Sequence, residues 1–254
     1  KHMKKKIIIT GGLGYIGTEL CKIYSGVSWH HKVIVIDNRF ISERVNQIRN
    51  WNMEFVHGDI LEKDLVNRYF KDADIVHHLA GITDVPRTKS ESNEDINKKI
   101  KLVGETGTQN ILDAISKECK IIFPSTHVVY EGIDKVKNDI KEDEETKPVL
   151  SYSSSKAINE KQLRESGKNY VILRLGSVYG YSTDTTRIDI MPNLFSKISS
   201  QDGTLRLFSG GKQTKSLVPL IDVARCFKFM EEREDLSSET FNLTKDTLTV
   251  KEVA

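Results

Sequence analysis

Short β-branched runs alternate with longer periodic segments along most of this chain, and that alternation admits few architectures. Runs such as IIIT, VIVID and KIIF predict strands over Lys6–Thr10, Lys32–Asp37, Glu54–His57, Asp74–Leu79, Lys120–Ser125 and Tyr170–Leu175. Their near-continuous apolar character suits strands covered on both faces. Between them, Tyr15–Tyr24, Ser42–Asn50, Glu62–Phe70, Asp95–Lys117 and Tyr152–Ser166 carry helical periodicity. Right-handed βαβ crossovers then predict an α/β fold with a doubly wound parallel sheet. After Gly180 the alternation loosens. A helix over Asp189–Ser200, strands over Leu205–Phe208 and Ser216–Leu220, and a helix over Asp222–Glu232 predict a smaller C-terminal α/β part.

The first strand runs into Gly11-Gly12-Leu13-Gly14-Tyr15-Ile16-Gly17, and the second ends in Asp37-Asn38. Glycine suits a tight turn, a close backbone approach to a pyrophosphate, and a helix packed on its strand. The helix that follows offers free N–H groups and a positive dipole end. A glycine pattern alone is equally a plain strand–helix turn. Together with an acid about twenty residues further on, which accepts from ribose hydroxyls, it predicts a Rossmann-type dinucleotide site. A carboxylate there repels a 2′-phosphate, so NAD is expected over NADP, although Arg39 offers some compensation. Residues 4–180 are the expected dinucleotide-binding domain. Residues 181–254 are the expected smaller substrate-binding region, interleaved with it.

Composition excludes several other classes. The 254 residues, 38% hydrophobic and 29% charged, suffice to bury a core without disulfide or metal staples. Lys and Arg total 38 against 36 Asp and Glu, a net charge of +2 that gives no electrostatic reason to expect nucleic acid. No apolar run is long enough for a membrane span. Cys21, Cys119 and Cys226 are scattered, which fits a reducing cytoplasm. The pairs His30-His31 and His77-His78 do not read as metal ligands, because adjacent strand residues point to opposite faces, and no metal is expected. Lys1-His2-Met3 reads as a remnant preceding a native start. Glu131–Pro148, rich in charge, reads as a solvated surface loop, with a lid as the alternative.

Tyr152-Ser153-Ser154-Ser155-Lys156 sets a tyrosine and a lysine one helical turn apart on a shared face. A tyrosine with a pKa of about 10 is a poor base at neutral pH. An ammonium about 5 Å away, at an effective dielectric of about 20, contributes roughly 3 kcal/mol, or some two pKa units. Such spacing also arises by accident, so other residues must support it.

They do so in order. TGGLGYIG, Asp59-Ile60, His78-Leu79-Ala80-Gly81, Pro124–Tyr130 (PSTHVVY), YSSSK, Arg174–Gly180 (RLGSVYG), Val218–Ala224 (VPLIDVA) and Phe241-Asn242-Leu243 resemble the extended short-chain dehydrogenases/reductases. Within these, the chain resembles the NAD-dependent epimerase/dehydratase branch over nearly its whole length. The resemblance implies that Asp59 and Ile60 flank adenine, and that Leu79, Ala80, Gly81 and Leu175 line the nicotinamide side. It implies a catalytic set of Thr126, Tyr152 and Lys156, with Lys156 also holding the nicotinamide ribose. Thr83, Thr126, His127, Ser177 and Lys215 become the expected substrate contacts, and a homodimer through helices Asp95–Lys117 and Tyr152–Ser166 the expected assembly. Relatives continue for several elements past Phe241-Asn242-Leu243, so part of the substrate cover is expected beyond residue 254.

Departures from the family pattern narrow the chemistry. Its 4,6-dehydratases carry Thr-Asp-Glu where this chain has Thr126-His127-Val128, and its decarboxylases expect Glu at Val128. Ser177, Lys215 and Gly104 stand where Asn, Arg and Asn are usual. The reading favoured is therefore an NAD-dependent nucleotide-sugar epimerase acting by transient hydride abstraction. An oxidoreductase that releases its product is the alternative, and a non-catalytic dinucleotide sensor is a third.

Overall fold

A computed structural model of the chain describes residues 3–82, 93–183 and 187–254. Thr83 lies outside the described residues. The parallel sheet forms from β1 (Lys6–Thr10), β2 (Lys32–Asp37), β3 (Glu54–His57), β4 (Ile75–His78), β5 (Lys120–Thr126), β6 (Asn169–Leu175) and β9 (Glu239–Leu243), in the order β3-β2-β1-β4-β5-β6-β9. Period-two alternation divides its core between two faces. On β1, Ile7 and Ile9 join Leu20, Val45 and Phe227 on one side, while Ile8 joins Phe70, Ile111 and Leu163 on the other. Each such fully buried side chain contributes about 1.5–3 kcal/mol. The first face is covered by α1 (Tyr15–Ser25), α2 (Ser42–Asn50) and α8 (Leu220–Glu232), the second by α3 (Lys63–Phe70), α5 (Gly107–Ala114) and α6 (Ser151–Glu165).

A second sheet, in the order β10-β8-β7, pairs β7 (Ser177–Tyr179), β8 (Thr214–Pro219) and β10 (Asp246–Thr249). β7 leaves the large sheet directly after β6, whereas β9 returns to it from the far end of the chain. The strand expected over Leu205–Phe208 is not formed. β7, β9 and β10 carry no separate signal in the sequence, because short strands flanked by polar residues lack a distinct period.

The helix expected over Asp95–Lys117 is broken. α4 (Glu94–Lys101) passes through a π-helical turn at Leu102–Thr106 into α5, which ends at Ala114. A π turn displaces the i→i−4 ladder and leaves carbonyls in need of donors. Asn159 Nδ2 takes Gly104 O and Gln162 Nε2 takes Glu105 O, each at 2.9 Å. The two helices are thereby fixed to each other.

The charged stretch after Tyr130 is tied down at several points. Arg174 donates to Glu142 O at 3.0 Å, Asn242 Nδ2 to Ile140 O at 2.9 Å, and Gly132 N to Lys147 O at 2.8 Å. Its exposed charges face solvent, and its backbone is anchored to the sheet.

Candidate active site

The strand order reverses between β1 and β4, and two adjoining cavities open there at the carboxyl ends of the strands. Gly11 forms the floor with φ +64°, and a Cβ added to it would lie 2.8 Å from Ala80 N and Leu79 C. Only glycine permits both that conformation and that approach. At Gly17 a Cβ would fall 2.4 Å from Gly11 O, so α1 packs against the turn only because nothing projects there. α1 then starts at Tyr15 with no side-chain cap, which leaves first-turn N–H groups for a ligand.

The cavity of about 300 Å³ is lined by Asp37, Asn38, Arg39, Asp59, Ile60 and Val103, together with Gly11, Gly14 and Leu79–Ile82. Asp37 is buried at the end of β2. Its Oδ2 accepts from Leu13 N at 3.0 Å and its Oδ1 from Arg39 N at 2.9 Å, and Arg39 Nε lies 3.5 Å from Oδ1. A carboxylate has about four lone-pair sites, so Asp37 is fixed and still able to accept from a ligand.

The second cavity, of about 250 Å³, joins the turn residues Gly11, Gly14, Tyr15, Ile16 and Gly17 to Thr126, His127, Tyr152, Lys156, Leu175 and Ser177. Thr126 caps the short helix that ends β5, its Oγ1 accepting from Val128 N at 3.3 Å. Tyr152 and Lys156 come from α6. Glu131 accepts from Val149 N at 2.7 Å, from Leu150 N at 2.8 Å and from Ser153 Oγ, and so holds the N-terminus of that helix with a charge suited to its dipole. Lys156 Nζ donates to Pro124 O at 2.9 Å and lies 4.6 Å from the centre of the Phe123 ring and 5.7 Å from that of Tyr152. Pro124 sits where β4 has already parted from β5, whose pairing with β4 ends at Ile122.

Electrostatics differ from the expectation at one point. Burial raises the Tyr152 phenol above its ordinary value, and the cation countering this is Arg187, not Lys156. Burial also lowers the Lys156 ammonium to about 8, opposed by Glu160. The expectation that the lysine, with the oxidised nicotinamide pushing the same way, brings the tyrosine down omitted the desolvation of both groups. His127 Nδ1 meets Leu175 O at 2.9 Å, so Nδ1 carries the proton and Nε2 is left as an acceptor; burial lowers its pKa and keeps the ring neutral.

Behind the site, Glu160 accepts from Ser125 Oγ at 2.6 Å and from Arg174 at 2.7 Å, and Arg174 in turn reaches Tyr130. His77 and His78 do face opposite ways: His77 Nε2 meets Tyr24 Oη at 2.7 Å, while His78 bridges Thr10 and Thr108 at 2.9 Å each.

The sequence-predicted residues among those described therefore converge on the two cavities, except Lys215. It stands on β8 outside the lining, near enough for its charge to act on His127. Sequence reasoning missed Arg187, Ile190, Thr108, Ser155 and Asn159. For Asn159 the signal was available, as a polar residue three positions after Lys156. For Arg187, on an irregular connection, there was none.

Comparison with known proteins agrees with this geometry. Residues 7–244 match the profile of the NAD dependent epimerase/dehydratase family. The chain belongs to that family. A curated relative within reach is the UDP-N-acetyl-alpha-D-glucosaminuronate decarboxylase of Bacillus cytotoxicus, 29% identical over 99% of this chain and 79% of that protein. The UDP-glucose 4-epimerase of Lactobacillus helveticus is 28% identical over 83% of this chain and 65% of its own. Among solved structures, a mutant UDP-glucuronic acid 4-epimerase from Bacillus cereus, in complex with UDP-4-deoxy-4-fluoro-glucuronic acid and NAD, superposes with a TM-score of 0.81 at 25% identity. That match covers 97% of this chain and 80% of the epimerase. No helix among the described residues is long and apolar enough to cross a membrane.

Proposed function

We propose that this chain is an NAD-dependent nucleotide-sugar epimerase. The observation that carries the reading is one cavity holding Thr126, Tyr152 and Lys156, continuous with a second that contains Asp37. The groove fits a dinucleotide: Asp37 takes the adenosine ribose, the first turn of α1 the pyrophosphate, and Leu79, Lys156 and Leu175 the nicotinamide side. NAD bound there supplies a hydride acceptor that can return the hydride to either face of a carbonyl. Tyr152 takes the proton of the reacting hydroxyl and later returns it, Thr126 hydrogen-bonds that hydroxyl, and Lys156 holds the charge beside them. The 181–254 region, through Arg187 and Ile190, supplies the sugar's side of the cleft, with Ser177, just before that region, and Lys215 toward the sugar's diphosphate.

The residues after Thr126 support epimerisation over dehydration. Removing water from C5 and C6 requires a positioned acid and a positioned base. His127 offers a single acceptor nitrogen, Val128 offers neither group, and no carboxylate lines this cavity among the described residues. Losing such a group typically costs 10²–10⁴ in rate. Incubation with UDP-, dTDP- and GDP-hexoses is expected to yield a product of unchanged mass, inverted at one carbon. A 4-keto-6-deoxy sugar, lighter by one water, would overturn the reading. Net absorbance change at 340 nm would favour the oxidoreductase instead.

The same reading extends to assembly as a homodimer through α4–α5 and α6. Much of the apolar surplus expected there is used internally: Ile100, Ile111, Leu112 and Ile115 are buried in the chain's own fold. Leu102, 51% exposed, and Ile158, 41% exposed, remain on the outer faces of adjacent helices. A dimer is expected by light scattering at micromolar concentration, and Leu102→Glu should shift it toward monomer. A wild-type monomer would sink the proposal.

A further inference from the structure

We infer that Asn193 and the Tyr15 hydroxyl form a tie that carries occupancy of the dinucleotide turn to the wall of the sugar end, so that bound NAD tightens Gly180 and residues 187–193. This rests on the epimerase reading for what occupies the two ends, and adds two positioning residues to it. Tyr15 opens α1, where the N-cap is Gly14 and no side chain caps the first turn. The backbone that meets the pyrophosphate and the phenol therefore belong to one residue. The Tyr15 side chain is buried, and its hydroxyl donates to Gly180 O, 165 residues further along the chain.

Asn193, in the first turn of α7 (Met191–Ser200), completes the arrangement. Its Oδ1 accepts from Gly180 N at 2.9 Å, and its Nδ2 donates to Arg187 O at 2.9 Å and lies 3.3 Å from Tyr15 Oη. A flipped amide would set donor against donor at Gly180 N and acceptor against acceptor at Arg187 O, so the orientation is fixed. Each side chain thus holds one backbone polar group of Gly180, a position whose φ of +128° favours glycine. Burial raises the Tyr15 phenol above its ordinary value, which keeps the hydroxyl protonated and a donor at neutral pH. A second contact runs alongside: Lys22, two turns after Tyr15 on the same face of α1, donates to Thr183 Oγ1 at 2.8 Å.

The far end of the tie borders the cavity. Arg187 and Ile190 line it together with Tyr152, and Ile190 N donates at 3.2 Å to the same Arg187 carbonyl that receives Asn193. An anion bound to the first turn of α1 orders that turn, and the phenol is ordered with it. Gly180 and residues 187–193 then lose freedom that a second ligand no longer has to remove, which is positive coupling without a change of shape. Couplings between sites typically amount to about 5–150-fold.

The test is amide hydrogen exchange read by mass spectrometry, with and without NAD, on wild type, Tyr15→Phe and Asn193→Leu. Phenylalanine keeps the ring and the backbone, and leucine favours a helix more than asparagine does. In wild type, NAD is expected to slow exchange at residues 11–20 and, by at least about fivefold, at 177–183 and 187–195. In both variants the slowing at 11–20 should persist, which reports folding and bound cofactor, while that at the other two segments should drop below about twofold. Equal slowing of those segments in wild type and variants would mean that the wall is held from elsewhere. No slowing there in wild type would mean that the two ends are uncoupled, and loss at 11–20 in both variants would make the contacts structural only. Each of these overturns the inference. Absent slowing at 11–20 in wild type would overturn the tie and the epimerase reading together. Coupled slowing in a protein that binds none of UDP-, dTDP- and GDP-hexoses would uphold the tie and overturn the nucleotide-sugar reading.

Discussion

Tyr152→Phe is expected to lower turnover by roughly 10²–10⁴-fold while leaving the fold and NAD affinity intact. The change removes one oxygen. α6 stays in place through contacts that do not involve it: Glu131 at its N-terminus, Asn159 and Gln162 on the π turn, and Glu160 on Arg174. Burial disfavours the phenolate and raises the Tyr152 phenol above its ordinary value. Acting as a base near neutrality would therefore require positive charge beyond Arg187, which oxidised nicotinamide bound in the cleft would supply. Single-turnover rates should rise with pH in the wild type and lose that dependence in the variant. Lys156→Ala should weaken NAD as well as slow turnover. Wild-type rates in Tyr152→Phe would remove the phenol from the mechanism.

The largest stability effect is expected from Glu160→Ala, about 3–5 kcal/mol, read as a lower midpoint in urea. Glu160 and Arg174 are 0% and 3% exposed. Removing the carboxylate leaves a buried guanidinium and the Ser125 hydroxyl without their acceptor. Burial alone would raise the Glu160 pKa, but hydrogen bonds from Arg174 and Ser125 and the nearby Arg charges hold it below the ordinary value. A folded-state pKa below the unfolded one means that this stabilisation is complete well above the unfolded value of about 4.3. It fades as pH falls through the folded pKa. The wild type should therefore lose stability below about pH 4, and Glu160→Ala should show a flatter profile there. A Glu160→Leu, Arg174→Met double variant should recover much of the loss, because both buried charges are then gone. A loss under about 1 kcal/mol in Glu160→Ala would show that water reaches the pair.

Most of the large sheet could be read from the residues because its causes are local. β1, β2 and β3 fall on their predicted bounds, since continuous apolar runs between turn residues have few alternatives as strands. The glycine turn was legible from its spacing: Gly14 and Gly17 answer steric demands made within the turn itself, although Gly11 is crowded by Leu79 and Ala80 from β4's end, and Asp37 ends a strand that Gly11 reaches through Ile36 O. The Tyr152–Lys156 pair needed helical periodicity together with the ordered motifs around it, since the spacing alone also arises by accident.

What escaped the sequence depends on contacts distant along the chain. The break at Leu102–Thr106 is supported by Asn159 and Gln162 from α6. The direction of the Tyr152 shift follows from desolvation and from Arg187, and neither can be computed before the cleft exists. β9 joins the large sheet because β6 leaves an open edge for it, and its own residues carry no parallel-strand pattern. The sequence by itself determined the doubly wound sheet, the dinucleotide turn and the helix that carries the tyrosine and lysine, through sterics and periodicity acting over a few residues. Tertiary structure alone decided which charges meet in the cleft, because fields and burial depend on distances in space that the order of residues does not contain.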